Sequence, residues 1–176
     1  MDRLAAALGM LGLAVALGAL AVGELVVAPG LAELDAFVDA NLAKTLTAPL
    51  HLRCAMLVLI GTLAIAAAAP RWIHSRVGTT MALCAVGCAA AYRLAVLPKA
   101  YATWAMADLV AGRPPEKIEQ AQELANNASW LAAAAVALLL GILVLAVRGQ
   151  VSAAPAPETP KAPAPTKDGS PAPAPA

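Results

Sequence analysis

Val77 to Pro98 reads VGTTMALCAVGCAAAYRLAVLP, an apolar run long enough to cross a bilayer and carrying one charge, Arg93. An arginine inside a membrane span is expensive and calls for a partner, so it constrains where neighbouring helices lie. Three further runs share this character. Leu4–Val27 reaches roughly 36 Å at 1.5 Å per helical residue, enough to cross with some tilt. Leu50–Ala69 reaches about 30 Å, and Trp130–Val147 forms the last run. The chain is 61% hydrophobic and 13% charged, with mean hydropathy +0.74. Soluble domains sit near 45–50% apolar and about 25% charged, so a bilayer is the solvent the pattern implies.

The expected fold is therefore all-α: an integral membrane four-helix bundle over residues 1–149. Its spans lie at about 4–27, 50–69, 77–97 and 130–147, followed by a disordered Ala/Pro-rich tail over 150–176. The first run exceeds the usual apolar length of a cleaved leader, so a retained helix is expected. Pro29 ends that span, Pro49 starts the second and Pro70 closes it. Pro98 kinks or ends the third. Leu31–Leu46 is amphipathic, with Glu33, Asp35 and Asp39 off its apolar stripe. Glu116–Glu123 is polar and helical in character and runs into the fourth span. Small residues four apart (Ala5/Gly9, Ala14/Gly18 and Ala133/Ala137/Gly141) allow close backbone approach. They suit internal packing, a homodimer or another membrane partner equally well.

Four spans put both termini on one side. Arg3, Arg71, Arg76 and Arg148 lie close to span ends on that side, in short segments. Lys44, Lys99, Arg113 and Lys117 lie on the other. The tighter basic clustering places both termini in the cytoplasm, in a membrane of bacterial inner-membrane type. A net charge of +1 offers no basic surface for nucleic acid.

Two constellations stand out. Glu24 lies five residues before Pro29 and Arg93 five before Pro98, at matching depth, which predicts a Glu24–Arg93 contact. His51 and Arg53 open the second span on the same side, and Asn126, Asn127 and Ser129 open the fourth. Together they sketch a polar outer cleft for a small polar species or a proton, or a structural clamp. The second is Met81, Cys84, Cys88 and Tyr92, which share a face of the third span. Cysteine and methionine are soft ligands suited to Cu(I). Cysteine is also an ordinary buried residue, and packing is the expectation here, with no cofactor. His51 and His74 fall at opposite membrane faces and cannot share one haem. No nucleophile elbow, phosphate loop, HExxH or paired catalytic carboxylate occurs, and no enzyme is expected.

The order ELVVAP, an amphipathic segment, a second span, YRLAVLP and a polar helix entering the fourth span resembles the family called domain of unknown function 4149. That family is related to the eukaryotic transmembrane-protein-205 group. The resemblance covers roughly Leu4 to Arg148, with Pro29, Arg93 and Pro98 as matching positions. It implies a four-helix membrane fold and supplies no chemistry. The family's histidine and nearby serine at the start of the fourth helix are replaced here by Ala125-Asn126-Asn127-Ala128-Ser129. The leading expectation is a non-enzymatic membrane scaffold or accessory subunit. A small transporter using the polar cleft is the alternative, with copper or haem handling behind it.

Overall fold

Heptad-like stripes of small residues build the core. Ala128, Ala132, Ala135, Leu139, Ile142 and Ala146 are buried at alternating spacings of four and three. Gly78, Ala82, Ala85, Ala89 and Tyr92 repeat the pattern, as do His51, Ala55, Val58, Thr62, Ile65 and Ala69. A mean spacing of 3.5 keeps one seam facing the neighbouring helices, the geometry of near-parallel bundle packing. Where the seam residue is alanine the backbones approach closely.

The computed structural model describes residues 2–27, 40–73, 75–106 and 115–152. These form α1 (Asp2–Ala21), a π-helical segment π1 (Val22–Val27), α2 (Ala40–Trp72), α3 (Arg76–Ala90), a second π-helical segment π2 (Ala91–Val96), α4 (Leu97–Met106) and α5 (Pro115–Ser152). No strand occurs among the described residues. The protein is an all-α four-helix bundle with four helices long and apolar enough to cross a membrane: Arg3–Val27, Leu46–Trp72, Arg76–Trp104 and Glu119–Gly149. Leu4, Leu11, Leu25, Val26, Leu83, Leu94 and Trp130 are all more than 60% exposed. So large an apolar outer surface suits contact with lipid rather than water.

α1 and α2 run antiparallel and meet most closely. A Cβ added at Gly12 would lie 2.7 Å from Gly61 O, and one at Gly61 would lie 2.6 Å from Gly12 O and 2.9 Å from the Ala16 nitrogen. At the proximal end, beside Asp2, Gly9 seats the Trp72 ring. At the distal end Gly23 lies against His51 and Cys54, 3.4 Å from His51 Cδ2 to a built Cβ. On the opposite side of the bundle Gly141 of α5 receives the Met81 side chain of α3.

The expected small-residue edges are only partly used. Nothing lies within 4 Å of a Cβ built at Gly18, and Ala133 and Ala137 are exposed. Gly18→Ala should therefore be neutral or raise stability by up to about 1 kcal/mol through helix propensity alone. A chemical unfolding titration in detergent reads this directly. A clear loss would mean that the outer face of α1 is packed against something.

The prolines behave differently from expectation. Pro49 and Pro70 both lie inside α2, which begins nine residues before Pro49 and ends two after Pro70. Pro98 does not end the third span either, because α4 continues to Met106. The turn before it is widened instead: the Leu97 N–H donates to the Tyr92 carbonyl, five residues back. A proline ring clashes with the carbonyl four residues before it, and a widened turn relieves that crowding. The polar stretch before the fourth span is continuous with it in α5. Leu31–Leu46 lies outside the described residues up to residue 39, and its remainder opens α2. The tail from residue 153, Pro29 and His74 are likewise outside the described residues.

Candidate functional site

At the distal end the alanine seam gives way to polar residues in the same phase. His51 continues the buried stripe of α2, and Tyr92 continues that of α3 into π2. Glu24 is held in π1, and Tyr101 lies one turn beyond Pro98 in α4. The four side chains join in one hydrogen-bonded chain. The Tyr92 hydroxyl donates to Glu24 Oε1 at 2.7 Å. His51 Nε2 lies 2.7 Å from the Tyr92 hydroxyl, and Nδ1 lies 2.8 Å from the Tyr101 hydroxyl. Both rings meet the imidazole edge-on, with centroids 6.1 and 6.0 Å away. His51 Nε2 also lies 3.5 Å from Glu24 Oε1.

The polarity of this chain follows from one proton. Tyr92 has a single hydroxyl hydrogen and gives it to the carboxylate, so its oxygen accepts from His51 Nε2–H. With a neutral ring, Nδ1 then accepts from the Tyr101 hydroxyl. Every heteroatom of the buried imidazole is satisfied, as a polar group in a bilayer interior requires. The chain contains two tyrosines in all, and both bond this one histidine.

Two residues expected at the cleft, Glu24 and His51, do come together. The expected Glu24–Arg93 pairing is replaced by Glu24–Tyr92. Neighbouring residues on a helix point about 100° apart, so a turn that aims Tyr92 into the seam carries Arg93 off it. A phenol is also far cheaper to bury than a guanidinium. Arg93 is half-buried, and its Nε has no hydrogen-bond partner among the described residues. Arg53, two residues from buried His51, is exposed rather than turned into the cleft, and Asn126 and Asn127 are exposed beside buried Ala128. None of these three joins the chain. The thiol stripe does not converge: Cys84 is exposed, Cys88 half-buried and Met81 packed at Gly141, while Tyr92 turns inward. Among the described residues no group of three or more His, Cys, Asp or Glu is placed to hold a metal ion.

Glu24 reaches an open hollow. Its side chain is 29% exposed and lines a groove of about 510 Å³ between α1 and α5. The opposite end carries a hollow of about 560 Å³ at Pro70, Ser75, Arg76, Thr79 and Thr80. Its two threonine hydroxyls donate to the Ser75 and Arg76 carbonyls of their own helix, so they are already engaged.

Tyr92 and Tyr101 were not among the cleft residues that sequence reasoning named. The phase of Tyr92 with Ala82, Ala85 and Ala89 was the available signal, since a tyrosine on a small-residue seam needs a partner for its hydroxyl. Tyr101 had no such signal, because its inward aim depends on the widened turn before Pro98. No family model, characterised protein or solved structure matches the chain.

Proposed function

We propose that this protein is a small non-enzymatic membrane carrier whose distal cluster loads and unloads Glu24 with a proton. The carrying observation is the unbroken Tyr101–His51–Tyr92–Glu24 chain, which ends on a carboxylate open to a groove. Ionisable groups held inside membrane spans commonly mark proton and ion pathways. Three hops suffice. The Tyr92 proton moves to Oε1, the Nε2 proton to the Tyr92 oxygen, and the Tyr101 proton to Nδ1. A proton from water at the distal mouth refills Tyr101. Glu24 is then neutral and the histidine has exchanged tautomers, a role for which imidazole is suited. Among the described residues Cys54, which lies with His51 against Gly23, is a further titratable group beside the ring, and Arg93 is the fixed charge next to Tyr92 in sequence.

The basic-residue pattern supports a distal end that faces outward, with both termini cytoplasmic. The resemblance to the domain of unknown function 4149 family supports the same four-span layout. A scaffold reading is favoured by the way the cluster ties three spans together. The two differ in infrared difference spectra of detergent-purified protein taken between acidic and alkaline pH. The carrier reading expects a protonated-carboxyl band that is absent in Glu24→Gln and moves together with a tyrosine ring band. Tyr92→Phe should uncouple the two bands. If no carboxyl band titrates with Glu24, or if it titrates with the tyrosines silent, the carrier reading fails and the clamp stands.

A further inference from the structure

We infer that the groove between α1 and α5 takes a lipophilic monocation, with the Glu24 carboxylate as its counter-charge. This deepens the carrier reading and rests on it. The groove is walled by Leu17, Leu20 and Leu25 on one side and by Ala132 and Val136 on the other. Among the described residues two polar side chains reach it, Glu24 and Ser129, and no lysine, arginine or histidine lines it. At about 510 Å³ it falls within the usual range for small-molecule pockets, roughly 300–1,000 Å³.

Charge complementarity selects the occupant. The Tyr92 hydrogen bond engages Glu24 Oε1, leaving Oε2 outside the chain. While the imidazole behind it is neutral, a deprotonated Glu24 is a negative charge in a low-dielectric wall, where a cation is strongly attracted. A small hydrated cation would lose its water against leucine and alanine with nothing to replace it. A cation whose charge is buried in apolar groups loses little and fills the leucine wall, so the groove selects bulk and positive charge together. Protonation of Glu24 through the phenol–imidazole chain removes the counter-charge and releases the ligand. Uptake of a proton and release of a cation are thereby exclusive at one carboxyl group.

The test uses tetraphenylphosphonium and its anionic twin tetraphenylborate, with full-length protein in phosphatidylcholine nanodiscs and equilibrium dialysis as readout. Saturable binding of the phosphonium alone is expected. Glu24→Gln keeps an acceptor for Tyr92 and should weaken binding by at least about tenfold, the loss of about one ion pair. Val136→Trp fills the groove without replacing any cluster residue and should abolish binding, with helicity checked by circular dichroism. Equal binding of the two ions, or unchanged binding in either variant, overturns the inference. So does loss of binding when phosphatidylethanolamine is added, since the groove would then be a lipid-amine site. A Glu24 band that titrates with the tyrosines, beside absent phosphonium binding, removes this inference and leaves the proton-exchange reading. Phosphonium binding without that coupled titration removes the reading instead, and with it the release step.

Discussion

His51→Ala is expected to lower stability by about 2–4 kcal/mol, from the cavity and from two phenols losing their partner. Half-buried Tyr101 would lose an acceptor, and Tyr92 a donor on a seam where water is excluded. The alanine also leaves a void beneath Gly23, which lies against the imidazole. The measurement is an equilibrium unfolding titration in mixed detergent micelles, followed by circular dichroism. His51→Phe separates the two contributions, because it restores volume and not hydrogen bonding. Interhelical hydrogen bonds in membranes average only about 0.6 kcal/mol. If His51→Phe matched the wild type within that margin, the network would contribute nothing to stability beyond filling space.

The second large effect is expected at the α1–α2 crossing. Gly61→Ala places a Cβ 2.6 Å from the Gly12 carbonyl oxygen and 2.9 Å from the Ala16 nitrogen. Backbone cannot yield as a flexible side chain can, so the helices must separate. Overpacking of this kind costs about 1–3 kcal/mol, and Gly61→Ala should lie toward the upper end. Gly12→Ala meets the reciprocal contact at 2.7 Å. The double variant should therefore be less damaging than the sum of the singles, because the first separation makes room for the second. Additive losses would mean that the two glycines do not share one contact. Each should fall well below Gly18→Ala in the same titration.

The architecture was legible because four long apolar runs leave a chain few alternatives in a bilayer. The prolines misled, since a proline signal is local while the helix around it is held by packing. Pro70 sits between buried Ala69 and Trp72, whose ring rests on Gly9, and that docking carries α2 past it. At the site, Glu24 and His51 were readable from charge and depth. Their partners were harder. Arg93 is the loud residue of the third span and Tyr92 the quiet one, and the seam accepts the phenol. Arg53, Asn126 and Asn127 share the depth of the cluster, but depth along a helix says nothing of which face a residue takes.

The widened turn at π2 settles the facing of the two tyrosines. Tyr92 and Tyr101 are nine residues apart, which on an uninterrupted α-helix would set them about 180° apart around the axis. One would face His51 and the other the hydrocarbon. A π-turn accommodates one extra residue, so the effective separation is eight, or about 80°. Both phenols then fall within the arc that a single imidazole can bridge. The register of α4 thus hangs on this one turn: were the segment to relax to ordinary α-helix, Tyr101 would rotate toward lipid and the hydrogen-bonded chain would lose its outer link, with Glu24, Tyr92 and His51 left in place.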